Sequence, residues 1–166
     1  MRPSRKRSRR LRGVVDTSVL IAGISGFRHP VPDADNKSAV LLRQWIARGS
    51  FIWLVSVDII DEYRDVMARL QVSHATIGRV LNLLDEEAER VPASVSTTIS
   101  PDPDDEPFCV CAEAGDADFL VTLNPRDFPQ ARLRSRVIAP GDPLPTRRPS
   151  APGRDRQHDR GGRRRR

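Results

Sequence analysis

Apolar and polar positions along the chain follow two alternating patterns. Short, nearly unbroken apolar runs occur around Val14 and Val15, across FIWLV at 51–55 and across ADFLVT at 117–122. Such runs predict strands buried on both faces, the pattern of a parallel sheet. Shorter runs at 95–99 and 136–139 are candidates for further strands. Between them the apolar positions space themselves three and four apart. Val40, Leu41, Trp45 and Ile46 predict a helix over 38–48. Ile59, Ile60, Tyr63, Val66, Met67 and Leu70 predict a second over 56–70, with Ser56 as its cap and Asp58 in its first turn. A third helix is expected over 73–90, stopped by Pro92. A fourth begins in DPDDEP at 102–107 and stops at Gly115. Residues 12–20 read as a strand followed by a turn, and residues 23–36, rich in Gly, Pro and Asp, read as a loop. Strands that alternate with helices imply an α/β fold, a parallel sheet of about four or five strands between helical layers. In such sheets binding sites form beyond the carboxyl ends of the strands.

Charge divides the 166 residues into three parts. Residues 1–12 hold seven Lys or Arg and no acid, and residues 146–166 hold nine Arg and two Asp. Of the 28 bases and 22 acids, 12 bases and 20 acids remain between the arms. An acidic core over 13–139 is therefore expected between a basic, disordered arm (1–12) and an Arg/Pro-rich, disordered tail (140–166). Two readings of the arms stay open: contact with nucleic-acid phosphates, or solvated ends without a role. No apolar run is long enough to span a membrane. No apolar leader precedes a cleavage-like site, so a secretory signal is not expected. Cys109 and Cys111 are too few for a disulfide framework, and no zinc spacing joins them to His29, His74 or His158. They fit a reducing cytoplasm and read as small apolar residues of a helix.

Carboxylates at strand and helix ends carry the candidate chemistry. Asp16 follows the first apolar strand directly. A carboxylate there is costly to bury unless it is paired or binds a cation, although Asp also caps turns. The 56–70 helix carries four internal acids. At about 100° per residue from Ile59, the apolar stripe centres near about 40°, with Glu62 near 300°, Asp58 near 260°, Asp65 near 240° and Asp61 near 200°. Glu62 is thus nearest the packed face. One of Asp104 and Asp105 is expected to cap the next helix, and Asn124 and Asp127 lie just past the ADFLVT strand. Each of these residues has an ordinary structural explanation when taken alone.

Taken together, GVVDTSVLIAG, SVDIIDEYRDVM and DPDDEPFCVCAEAGDADFLVTLNPRDF resemble the PIN-domain family, in particular its VapC-like toxin branch, over residues 13–138. The resemblance implies a three-layer α/β/α nuclease fold with acids gathered around Mg²⁺ or Mn²⁺. By matched position, Asp16, Glu62 and Asp105 correspond to the family's first three acids, as catalytic and metal-binding residues. Asn124 stands at the fourth position, often Asp, with Asp127 nearby to supply charge, and Ser18 stands where Asn is usual. Thr17, Ser18, Thr122 and Arg126 are lesser candidates for orienting ligands or phosphate. The implied function is a divalent-metal endoribonuclease, the toxin of a toxin–antitoxin pair. An RNA substrate, an antitoxin partner and a homodimer are expected with it. Three rivals stand beside this reading. An aspartic protease would share the Asp16–Thr17–Ser18 turn but is all-β. A haloacid-dehalogenase-type enzyme would need a second Asp where Ser18 stands. A PIN-like module could bind RNA or protein without cutting.

Overall fold

The computed structural model describes residues 10–29, 31–92 and 98–146. Five parallel strands form one sheet in the order β3-β2-β1-β4-β5, with five helices packed against it in a three-layer α/β/α arrangement. The strands are β1 (Arg12–Val15), β2 (Ile52–Val55), β3 (Glu89–Arg90), β4 (Phe119–Val121) and β5 (Arg136–Ile138). The helices are α1 (Thr17–Arg28), α2 (Lys37–Arg48), α3 (Val57–Arg69), α4 (His74–Glu87) and α5 (Glu106–Ala114). Val14, Val15, Leu54, Val55 and all of β4 are sealed from solvent, as the unbroken apolar runs require. Strand order reverses at β1, whose neighbours are β2 on one side and β4 on the other. The carboxyl ends of β1 and β4 therefore flank the switch point where open α/β sheets place their ligands.

Three of the five helix starts, and the end of α2, follow from local chemistry. The Asn36 side chain accepts the Ala39 N–H at 2.9 Å, Ser56 accepts that of Ile59 at 3.3 Å, and Ser73 accepts that of Thr76 at 3.2 Å. Gly49 closes α2 in the left-handed conformation, φ 52°.

Residues 17–28 depart from the expected turn and loop and form α1. The glycines that read as loop punctuation serve close helix packing instead. A Cβ on Gly23 would sit 2.2 Å from Leu42 Cδ1, and one on Gly26 would sit 2.6 Å from Ala39 Cβ. The third expected helix ends at Glu87, because Glu89 and Arg90 leave it to pair with Leu54 and Val55 as β3. Of the run at 95–99, residues 95–97 lie outside the described residues, and Thr98 and Ile99 have no regular structure. Asp105 occupies the cap position of α5 but makes no side-chain capping bond. The Glu106 carboxylate instead accepts the N–H groups of Ile99 and Ser100. Most of both basic ends, residues 1–9 and 147–166, lies outside the described residues. Arg12 opens β1, and its guanidinium grips Glu89 through both terminal nitrogens at 2.7 and 3.0 Å.

Aromatic contacts set the register between layers. Trp53 meets Trp45 edge-on at 4.7 Å and Tyr63 at 6.4 Å, and Tyr63 packs on Phe108 at 6.3 Å. The Tyr63 hydroxyl donates to the carbonyl of Val15. One buried side chain of α3 thus touches the last residue of β1 and the first turns of α5.

Candidate metal centre

Asp16 follows β1 and precedes α1, with nine-tenths of its surface buried. Its N–H donates to Val121 O at 2.9 Å, which ties it to the end of β4. One carboxylate oxygen, Oδ2, accepts from Ser18 Oγ at 2.6 Å and from Thr122 Oγ1 at 2.8 Å. Two hydroxyl donors account for that oxygen, and among the described residues nothing donates to Oδ1.

Glu62 precedes Tyr63 on α3, so the Tyr63–Val15 bond holds it one residue from a fixed point on β1. It is half-buried, whereas Asp58, Asp61 and Asp65 are exposed. The helical angles likewise put Glu62 nearest the packed face, and the other three are not separated by exposure class. Burial raises the Glu62 carboxyl above its ordinary value, Arg69 opposes that shift, and the charges of Asp104, Asp65 and Asp16 add to it. Asp105, half-buried at the start of α5, is pushed up to about 6. Burial is the main cause, followed by the charges of Asp16, Asp102, Asp127 and Asp104. Phe108, three residues on, packs against Tyr63 and orients this end of α5.

Asp16 is therefore within electrostatic reach of both Glu62 and Asp105, and Asp127 reaches Asp105. Asp127 is exposed in a 3-10 turn after β4. Asn124 is also exposed, and its N–H donates to Thr122 Oγ1 at 3.1 Å. Arg126 is exposed on the same turn. Thr122 has a larger part than its sequence position announces, since its fully buried hydroxyl contacts both Asp16 and the loop beyond β4. The available signal was a polar hydroxyl closing an otherwise apolar strand. Cys109 and Cys111 are unpaired and buried, with thiols pushed up to about 12 mainly by that burial. They pack as small apolar residues.

Among the described residues, no three His, Cys, Asp or Glu side chains lie close enough to enclose a cation as they stand. The donor set nevertheless fits a hard divalent ion. Its oxygens are carboxylates, the charge of Asp16 raises the proton affinity of both Glu62 and Asp105, and bound positive charge would relieve that repulsion. Small hard cations keep several waters and need only one or two protein carboxylates. The Thr17 hydroxyl, directly after Asp16, is buried without a hydrogen-bond partner among the described residues.

The family model of the PIN domain matches residues 12–126. No curated protein matches the sequence. The matched span contains β1 through β4 with Asp16, Glu62, Asp105 and Asn124, and it stops one residue before Asp127. With more than half of its length matched, the chain belongs to the PIN-domain family.

Proposed function

We propose that this chain is a divalent-metal-dependent endoribonuclease that hydrolyses RNA phosphodiester bonds at the carboxyl ends of β1 and β4. PIN domains are generally nucleases and generally use divalent metal ions. The observation that carries the reading is the placement of Asp16. It sits at the sheet's switch point, with one oxygen unengaged and the charges of Glu62 and Asp105 within reach.

Asp16, Glu62 and Asp105 would hold the ion, taken here as Mg²⁺ with Mn²⁺ as its substitute, and Asn124 and Asp127 stand at the rim. When bound, such an ion acidifies water, neutralises phosphate charge and steadies a leaving oxygen. The protein's own residues supply position and field. Asp16 is fixed by two hydroxyls and a backbone bond. Glu62 is fixed through Tyr63, and Asp105 through the packing of α5. Without bound positive charge these acids repel a phosphodiester. Arg126, exposed beside them, carries a charge that attracts one.

The finer parts of the reading are a toxin role, an antitoxin that silences it, a homodimer and a cytoplasmic setting. Sequence resemblance supports the first three, and the two unpaired thiols support the last. No helix among the described residues is long and apolar enough to cross a membrane.

The test is cleavage of single-stranded RNA by the full chain, with Mg²⁺ or Mn²⁺ and with EDTA, beside Asp16→Asn. Metal-dependent cutting that disappears in the variant is expected. Equal cutting by both proteins refutes the assignment. Metal-independent RNA binding without cutting favours the non-cleaving module, which the neutral, exposed Asn124 also favours. An antitoxin-like reading frame next to the gene, whose product co-purifies with the chain and stops cutting, would support the toxin role.

A further inference from the structure

We infer that Thr122 and Ser18 form a hydroxyl clamp that selects which oxygen of Asp16 meets the cation, with Thr122 as its principal positioning residue. The inference rests on the metal-nuclease reading and concerns how that site is built. Both hydroxyls converge on one oxygen, Oδ2, at 2.6 Å from Ser18 and 2.8 Å from Thr122. A hydroxyl has a single proton, so its direction decides what it can do. Here the direction is settled from the other side. Thr122 Oγ1 receives the Asn124 N–H at 3.1 Å, and Ser18 Oγ receives the Leu123 N–H at 3.3 Å. Backbone N–H groups only donate, so each hydroxyl's proton is left to point at Asp16.

Three consequences follow. Oδ2 is saturated by donors, and Oδ1 is the oxygen left free to meet a cation. Both hydroxyls are aimed by consecutive amides of one loop, Leu123 and Asn124. The exit of β4 therefore sets the carboxylate's orientation on β1. Thr122 is fully buried whereas Ser18 is half-exposed. A hydrogen bond sealed from water is stiffer and stronger, so Thr122 bears more of the clamp. Groups that orient a metal-binding carboxylate commonly change metal affinity or activity 10- to 100-fold when removed.

The test measures Mn²⁺ binding by electron paramagnetic resonance on the full chain, together with kcat and KM on RNA and thermal melting in EDTA. Thr122→Val keeps the shape and removes the hydroxyl. It is expected to weaken Mn²⁺ binding roughly 10- to 100-fold and to lower kcat while leaving KM for RNA near wild type. Thr122→Ser restores the hydroxyl and should bring both back to within roughly threefold of wild type. A folded Thr122→Val with wild-type Mn²⁺ affinity overturns the clamp while leaving the nuclease reading intact. If Thr122→Val does not fold, Ser18→Ala at the half-exposed arm replaces it. That variant should lose affinity roughly 10-fold, at the low end of the same range, and unchanged affinity overturns the clamp. A wild-type chain that binds no Mn²⁺ overturns the metal reading, and the clamp with it.

Discussion

Replacing Asp105 by Asn should stabilise the metal-free protein at neutral and alkaline pH. In the folded chain the Asp105 carboxyl is pushed up to about 6 from an ordinary value near 3.8. The folded state then binds the proton more tightly than the unfolded chain does. Stability therefore falls as pH rises through the window between those values, and the full penalty is present above about 6. At about 1.4 kcal/mol per tenfold change in proton affinity, the gap corresponds to about 3 kcal/mol. Partial exposure to water roughly halves that figure. Asn also forfeits about 0.3–1 kcal/mol of favourable interaction between a negative charge and the α5 N-terminus. The net expectation is a gain of about 0.5–1.2 kcal/mol, a rise in Tm of about 1–5 °C for a chain of this size. The assay is thermal melting of wild type and Asp105→Asn in EDTA at pH 8, 5 and 4. Taking the difference between the two proteins cancels every other titrating group. That difference should be largest at pH 8, roughly halved near pH 5 and small at pH 4. Adding Mn²⁺ should reverse the order, because only wild type keeps the charge that a cation rewards. A variant no more stable than wild type at pH 8 refutes the reasoning, as does a difference that does not shrink on acidification. Asp105 would then not be a carboxylate held at the expense of stability.

Three further outcomes test the scaffold around the site. Gly23→Ala would gain up to about 1 kcal/mol in an ordinary helix. In α1 it should lose about 1–3 kcal/mol in urea unfolding, because its new methyl meets Leu42 at 2.2 Å; a gain would show that α1 and α2 are not this close. Glu106→Ala strips acceptors from the Ile99 and Ser100 amides and should cost about 2–4 kcal/mol by the same measurement; a loss below about 1 kcal/mol would mean that those amides find other partners. Tyr63→Phe should lower stability by about 1–2 kcal/mol through the orphaned Val15 carbonyl. It should also reduce RNA cleavage, because Glu62 loses its tether to β1, and unchanged cleavage would separate Glu62's position from that bond.

What the sequence revealed and what it concealed divide along a physical line. Patterns that repeat within one element were legible. The stripe on α3 ranked Glu62 as the acid nearest the core, and in the structure it alone among the internal acids of α3 is partly buried. The apolar runs that became β1, β2 and β4 needed no partner to be recognised. Features created by a neighbour were illegible. Glu89 and Arg90 are exposed, polar and continuous with a helical pattern, and only pairing with Leu54 and Val55 makes them a strand. Gly23 and Gly26 look the same in a loop as at a helix crossing, and the presence of Leu42 and Ala39 distinguishes the two.

The site obeys the same division. Asp16, Glu62 and Asp105 could each be placed at an element's end or edge from local rules. Their mutual reach depends on Tyr63, which joins α3 to β1 by a hydrogen bond and to α5 by ring packing. Thr122 is 106 residues from Asp16 and meets it only because β1 and β4 are neighbours in the sheet. Local rules can therefore nominate the acids of such a centre, and although Ser18 and Thr122 could be named as lesser candidates for orienting ligands, that both meet one oxygen of Asp16 emerges only with the sheet order. A substitution at an aiming residue should accordingly leave the fold recognisable while shifting affinity. This asymmetry is what separates Thr122 from an ordinary core threonine.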